Sequence, residues 1–176
     1  MSQRSQRVSV DLTEYLHDTT TRLPRRLPLQ EITELVREAH ARYGGASIHP
    51  RFGDLKGQAL TAVSLYPERT VRINGDEIPS ELIAGFYRQN ADLFQDPRLI
   101  LGTWYNADED ITYLDIAVVF PQRQEAVSLA LTYNQIAVYD LAQEAEVSLS
   151  GTGEEIPGLP PENQRLPPLR RVQKEV

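Results

Sequence analysis

The sequence predicts an α+β fold, and the prediction depends on the order of elements between residues 59 and 141. Apolar and polar residues alternate in four runs, which is typical of strands with one buried face. Two other stretches carry apolar residues every three or four positions, which is typical of amphipathic helices. The order strand, helix, strand, strand, helix, strand is that of the ferredoxin-like sandwich, in which two helices cover one face of an antiparallel sheet.

Each element of this core has its own pattern. Within the two helices, Ile83, Phe86 and Val127 are among the residues expected to face the sheet. After the first strand, Asn74-Gly75 favours a tight turn with positive φ, so a short extra hairpin is predicted at 71–73. The core elements are strands at 59–66, 99–105, 111–120 and 136–140, and helices at about 79–94 and 123–133.

A further helix is predicted ahead of the core, from 29 to 43. Its apolar residues repeat at intervals of three and four, with charged residues between them. Gly44-Gly45 marks its end, because glycine adopts the left-handed conformation that often follows a helix C-terminus. Residues 45–57 are predicted to form an ordered loop, and residues 8–16 a short amphipathic turn.

Composition divides the chain into three parts. In the first, Pro24 and Pro28 push the residues before them out of the helical region. The predicted parts are a basic N-terminal arm and linker at 1–28, a single α+β domain at 29–150, and a proline-rich extended C-terminal tail at 151–176. The predicted architecture is therefore a ferredoxin-like sandwich with an additional N-terminal helix and extended tails.

The charge distribution limits the class of partner. The chain has a net charge of −7, and residues 28–151 hold eighteen acidic and nine basic residues. Because nucleic-acid binding depends on neutralised phosphates, an acidic core argues against DNA or RNA as a partner. A protein with a basic surface is the better electrostatic match, although ordinary solubility also explains such a charge.

Composition excludes several other classes of protein. The chain has no cysteine, which rules out disulfides, thiol catalysis and thiolate metal sites. No apolar run approaches the ~20 residues that a membrane span needs. The first residues lack the apolar segment of a secretory signal, so a cytoplasmic location is expected.

One face of the predicted sheet collects aromatic side chains. Because alternate residues of a strand point to opposite faces, Leu114, Ile116 and Val118 belong under the helices and their neighbours belong on the other face. The second strand adds either Trp104 or Tyr105, and Tyr105 is preferred. The predicted partner-binding residues are Tyr66, Tyr105, Tyr113, Asp115 and Tyr139.

Three explanations of this face are open. It can anchor a protein partner, or it can stack bases as RNA-binding modules of similar topology do, which the acidic core disfavours. In the third explanation, the helix at 29–43 lies across the face and the tyrosines are its packing partners. If the face is covered, Asp115 needs a hydrogen-bond or charge partner, because a buried carboxylate is costly without one.

No catalytic, cofactor or metal site is predicted. His17, His40 and His49 are scattered along the chain, and no pair has a metal-ligand spacing. The acidic turn Asp108-Glu109-Asp110 lacks the twelve-residue spacing of a calcium loop, and charged hairpin tips of this kind are common.

Several short motifs resemble a known family. They are Gly102-Thr-Trp-Tyr105, Tyr113-Leu-Asp115, Glu125-Ala126, Asn134-Gln135 and Tyr139-Asp-Leu141, with Gly45, Pro50-Arg-Phe-Gly53 and Gly151-Thr-Gly153 around them. In this order they resemble a family of small uncharacterised proteins from bacteriophages and mobile elements of high-GC bacteria, over roughly residues 44–153. That family has no assigned activity, so the resemblance transfers no functional residue. It implies a phage or mobile-element setting.

These observations favour a non-enzymatic phage or mobile-element accessory protein that binds a protein partner through an acidic, tyrosine-rich sheet face. It is expected in the cytoplasm of a bacterial host or incorporated in a virion, with homo-oligomers left open. The first alternative is a structural subunit of a virion or other assembly whose tails are ordered by neighbours. The second is a small hydrolase or transferase that uses Asp115 with His49 or a metal at the acidic turn.

Overall fold

Residues 11–153 and 156–169 are described by the structure, a computed structural model. In these ranges the helices are α1 (Leu12–His17), α2 (Leu29–Tyr43), α3 (Ser80–Gln89) and α4 (Arg123–Thr132). The strands are β1 (Gly45–His49), β2 (Gly53–Asp54), β3 (Thr61–Ser64), β4 (Val71–Asn74), β5 (Leu99–Asn106), β6 (Ile111–Phe120), β7 (Ala137–Asp140) and β8 (Ala145–Ser148). The predicted α+β class is confirmed.

A single antiparallel sheet joins these strands in the order β2-β1-β5-β6-β3-β7-β8. The longest strand, β6, pairs with β5 along one edge, and its other edge is shared by β4 and β3. The β5–β6 register runs without interruption from Leu99 opposite Val118 to Asn106 opposite Ile111. The hairpin is closed by a turn in which Asp110 adopts a positive φ of 52°. The alternation of side chains between the two faces is therefore fixed along the whole hairpin.

Several predicted boundaries are corrected by the structure. The segment predicted as a loop at 45–57 contains β1 and β2, which extend the sheet beyond β5. The predicted hairpin at 71–73 does not form, because β4 pairs with the start of β6 instead. The helix predicted at 79–94 ends at Gln89, and a 3₁₀ turn at Leu93–Gln95 follows it.

Helices α2, α3 and α4 all pack on one face of the sheet. Ile32 and Val36 of α2 share a hydrophobic core with Ile83 of α3 and Ala126 of α4. This face buries the residues that alternate inward along the strands, as a half-buried sheet requires. The strands contribute Ile48, Val63, Leu99, Leu101, Leu114, Ile116, Val118 and Val138.

The position of α2 corrects the explanation in which the helix at 29–43 covers the tyrosines. It packs beside α3 instead, and its His40 lies 2.8 Å from the hydroxyl of Thr103. On the other face, α1 covers one end of the sheet, where a second apolar cluster forms. Its buried members are Leu12, Tyr15, Leu55, Leu60, Ala62, Ile100, Val119 and Leu141. The opposite end of that face has no such cover among the described residues.

His49 is a buried structural residue, only 1% exposed. Its Nδ1 accepts the backbone N–H groups of Arg51 at 2.9 Å and Phe52 at 3.2 Å, so the proton lies on Nε2, which donates to the Pro97 carbonyl at 2.8 Å. Burial, reinforced by the charges of Arg51 and Arg26, lowers the pKa of His49 to about 4. The ring is therefore neutral near pH 7 and joins two loops.

The described part of the C-terminal tail is attached to the core. Arg165 is 5% exposed and donates to the Leu65 carbonyl at 2.9 Å, to the Pro160 carbonyl at 3.0 Å and to both carboxylate oxygens of Glu68. Leu159 and Leu166 pack against the core on either side of it. Residues 1–10 of the predicted arm and residues 154–155 and 170–176 of the predicted tail lie outside the described residues.

We expect the lowered pKa of His49 to make the fold sensitive to mild acid. The unfolded chain takes up this proton below the ordinary histidine pKa of 6.5, whereas the native state takes it up only near pH 4. The free energy of unfolding should therefore fall between pH 6.5 and pH 4, by on the order of 3 kcal/mol from this residue. Urea unfolding at several pH values should show a flatter dependence in His49→Gln, which stays neutral throughout. An equal slope in both proteins would contradict this assignment.

Arg165→Met should destabilise the protein by about 3 kcal/mol, because it leaves the Leu65 carbonyl buried without its donor and Glu68 without its cation. Arg25→Met is the matched control, since Arg25 is exposed. Chemical unfolding gives the stability change, and limited proteolysis should cut the segment 156–169 faster in the Arg165 variant alone. Equal stability of the two variants would count against the role given to Arg165.

Candidate functional site

Three side chains form a row across the uncovered end of the sheet. Trp104 of β5 and Arg72 of β4 are both register partners of Tyr113 on β6. The rings of Trp104 and Tyr113 are stacked, with centroids 5.6 Å apart and planes at 21°. The Arg72 guanidinium carbon lies 5.4 Å from the centroid of the Tyr113 ring. Although it is the largest side chain of the row, Trp104 is 49% exposed.

The next row of the same face contains a carboxylate beside two small residues. Gly102 of β5 pairs with Asp115 on one side and with Ser47 of β1 on the other. The Thr70 hydroxyl donates to Asp115 Oδ1 at 2.9 Å, and the Ile116 N–H donates to the same oxygen at 2.8 Å. We refer to Trp104, Tyr113, Arg72, Gly102, Ser47 and Asp115 together as the aromatic face.

Asp115 carries the negative charge of the aromatic face. Burial raises the pKa of its carboxyl group, and hydrogen bonds from Ser64, Thr70 and the Ile116 N–H oppose that shift. Among the residues that the structure describes, no arginine or lysine forms an ion pair with Asp115. A half-buried carboxylate held by neutral donors alone can accept a cation from outside the chain.

Two carboxylates of the acidic turn at 108–110 orient tyrosine side chains through hydrogen bonds. The Tyr113 hydroxyl donates to Glu109 Oε2 at 2.8 Å, and the Tyr105 hydroxyl donates to Asp110 Oδ1 at 2.8 Å. Each bond to a carboxylate raises the pKa of the tyrosine that donates it. The turn therefore fixes the orientation of the Tyr113 ring, on which Trp104 stacks.

Tyr66 and Tyr105 do not lie on the aromatic face, so their predicted placement is wrong. Strand β3 ends at Ser64, and the alternation therefore does not extend to Tyr66, which is 2% exposed in the helix-covered core. Burial raises the pKa of Tyr66 to about 12. Tyr105 follows Leu101 and Thr103 on the face toward the helices, which leaves Trp104 on the open face.

Tyr113 and Asp115 lie where the alternation placed them, but Tyr139 is remote from them. Tyr139 is 38% exposed and points away from the helices, opposite Ala62, which in turn pairs with Val119. Along β6, positions 113 and 119 are roughly 20 Å apart at ~3.3 Å per residue. Tyr139 is therefore beside the part of the sheet that α1 covers, and the five predicted residues form no single patch.

Sequence reasoning ranked Trp104 second and missed Arg72, Gly102 and Ser47 as site residues. The alternation along β5 could have identified Trp104. Leu99 and Leu101 face the core, so the even-numbered residues of the strand point to the other face. Arg72 could not be placed, because it depends on β4 pairing with β6 across a long chain separation.

The rest of the described structure contains no stronger candidate for a binding site. A cavity of about 390 Å³ between α1, the start of α4 and residues 167–169 contains Arg98, but that guanidinium is bound to Asp96 and to the Pro167 carbonyl. The described ranges contain no group of three or more histidine or acidic residues that could hold a metal ion. Within those ranges, no helix has the length and apolar character needed to cross a membrane.

No protein-family model matches this chain, and searches of curated proteins and of solved structures found no significant match.

Asp115→Asn should leave the protein as stable as the parent at pH 7, or stabilise it by about 1 kcal/mol. Asparagine keeps the oxygen that accepts from Thr70 and Ile116, and it removes a charge that burial disfavours. Because the native carboxyl pKa is raised, the parent should lose stability as pH rises through that pKa, and the variant should not. Urea unfolding between pH 4 and pH 8 measures both effects, and a strongly destabilised variant at pH 7 would contradict them.

Proposed function

We propose that this chain is a non-enzymatic binding protein that contacts a protein partner through the aromatic face. The observation that carries the proposal is the half-exposed Trp104, stacked on Tyr113 and backed by Arg72. Tryptophan, tyrosine and arginine are the residue types that most often dominate binding energy at protein interfaces. Here the stack orders them before any partner arrives, which reduces the entropy lost on binding.

The electrostatics favour a partner with a basic surface. No arginine or lysine within residues 11–153 and 156–169 forms an ion pair with Asp115, and Glu109 stands at the edge of the aromatic face, bonded to Tyr113. The surrounding segment 28–151 has twice as many acidic as basic residues. A nucleic acid would place its phosphates against these carboxylates, which weakens the alternative of base stacking. A complementary basic surface gains both affinity and orientation.

The buried histidines support a non-enzymatic role. Both nitrogens of His40 and both of His49 contact polar groups of the fold, at distances between 2.8 Å and 3.2 Å. Burial also lowers the pKa of each. Neither ring is free to exchange protons with a substrate beside Asp115, so the hydrolase or transferase alternative has little support.

We infer that the central elements form a ferredoxin-like sandwich to which the remaining elements were added. The four strands of the predicted core occupy the order β5-β6-β3-β7, and every neighbouring pair is antiparallel. Helix α3 precedes β5, and α4 precedes β7. This is the order expected of a split βαβ unit repeated twice, with β1, β2, β4 and β8 as additions.

The proposed setting is that of a phage or mobile element, as the family resemblance of the core motifs implies. An accessory protein acting in the cytoplasm of the bacterial host, or carried in the virion, fits this setting. The alternative of an assembly subunit whose tails are ordered by neighbours is less favoured. Residues 156–169 already pack on their own chain through Arg165.

The proposal is tested by affinity capture from a host lysate, with the parent protein and Trp104→Ala as baits. If the aromatic face binds the partner, Trp104→Ala should lower its recovery at least tenfold, the effect of losing about 1.4 kcal/mol or more of binding free energy. Far-UV circular dichroism should stay native, because the removed side chain is half exposed.

Tyr43→Ala and Tyr139→Ala are the matched controls. Both side chains are exposed aromatics, at 51% and 38%, but Tyr43 is on α2 and Tyr139 lies far along the sheet. Neither should change recovery by more than about twofold. A partner that Trp104→Ala still captures at the parent level would overturn the proposal.

A further inference from the structure

Gly102 lies in the middle of β5, and the fold does not require a glycine at this position. Its pairing is regular with both neighbouring strands, so it is not part of a β-bulge. Its φ is not positive, and an added Cβ would meet only ordinary contacts, 3.9 Å from the Cβ of Ala117 and from the carbonyl oxygens of Ala46 and Asp115. Glycine weakens a strand interior, and it often marks a place where a ligand approaches the backbone.

The missing side chain leaves a notch between polar and aromatic groups. Ser47 and Asp115 stand on either side of Gly102 across the sheet, and Trp104 stands two positions along the same strand and face. In the other direction the face is closed by the apolar cluster around Ile100, under α1. The notch is thus partly exposed to solvent. Asp115 is its neighbour across the β5–β6 pair, with its carboxylate bonded to Thr70 on the far edge of β6, and the Trp104 ring stands at its end.

The chemistry of these groups selects a basic side chain. A lysine or arginine can lay its aliphatic stem against an aromatic ring while its charged end pairs with a carboxylate. The Arg72 guanidinium carbon already lies 5.4 Å from the centroid of the Tyr113 ring, so the stack carries one cation–π contact within the chain. Asp115 supplies the negative charge, which neutral donors alone hold within the described residues.

We propose that the notch over Gly102 receives one arginine or lysine side chain of the partner, with its stem on Trp104 and its cationic end at Asp115. This inference rests on the proposed function, which it extends by naming the chemistry of the contact. It also gives a reason for glycine at position 102, since any larger side chain would occupy the space that the partner's stem needs.

The test uses the intrinsic fluorescence of Trp104, which is the chain's single tryptophan. The probe is a blocked Gly-Ser-Arg-Ser-Gly peptide, compared with the same peptide carrying citrulline, which keeps the shape of arginine without its charge. The arginine peptide should change the emission saturably and bind at least about tenfold more tightly than the citrulline peptide. Equal binding of the two peptides would overturn the inference.

The decisive variant is Gly102→Val, which fills the notch with a strand-favouring residue. It should be at least as stable as the parent and should lose at least about tenfold in affinity for the arginine peptide. Gly85→Ala is the matched control, because Gly85 lies in α3 with open space where a Cβ would be, and it should bind like the parent. If valine disturbs the fold, Gly102→Ala and Asp115→Asn make the same test with smaller changes.

The two proposals fail in different ways. If Trp104→Ala abolishes partner capture and Gly102→Val leaves it unchanged, the aromatic face remains the binding surface, and the proposed insertion of a basic side chain over Gly102 is overturned. Capture that no substitution on the face reduces would overturn the proposed function itself. Loss of both capture and peptide binding in Gly102→Val, with native circular dichroism, would support both.

Discussion

The pairing of β5 with β6 is the constraint on which the rest of the structure depends. Eight consecutive residue pairs, from Leu99–Val118 to Asn106–Ile111, hold one register. This register turns Leu101, Leu114 and Ile116 toward the helices, and it places Trp104 beside Tyr113 and Gly102 beside Asp115 on the other face. A slip of one residue would exchange the two faces, burying the carboxylate under α2 to α4 and exposing the core. The core and the site are thus fixed by the same ladder of hydrogen bonds.

The two faces of the sheet are covered unequally, and this difference creates the site. Three helices pack on one face, whereas the six residues of α1 reach only the end of the other face around Ile100 and Val119. At the uncovered end, the exposed aromatic rings are supported by one another and by the acidic turn, through the bond from Tyr113 to Glu109. The aromatic face is consequently ordered without a covering element, as a preformed binding surface must be.

Local patterns were sufficient for the helices α2, α3 and α4 and for the strands β3, β5, β6 and β7, but they missed β1, β2 and β8 and the long-range partners of the strands. Period-two alternation correctly placed Leu114, Ile116, Tyr113 and Asp115, because strand geometry fixes the side of each residue once one face is known. The amphipathic pattern of α2 showed that one side of the helix is buried, but it carried no information about which sheet face buries it. Tyr66 was misplaced because β3 ends two residues earlier, and strand ends depend on pairing across the sheet. Arg72 joined the site only through β4 and β6, a contact that no local signal encodes.

The strongest reason to regard the aromatic face as functional is that three choices unfavourable to folding meet there. Gly102 weakens the centre of the longest hairpin without a steric need, the charge of Asp115 is disfavoured by its burial, and Trp104 leaves half of a large apolar surface in water. By contrast, the packing of α2 and the fully occupied nitrogens of His49 agree with their surroundings. In proteins, local departures from such consistency concentrate where function requires them. The proposed contact with a partner would explain together why they coincide at neighbouring positions of two paired strands.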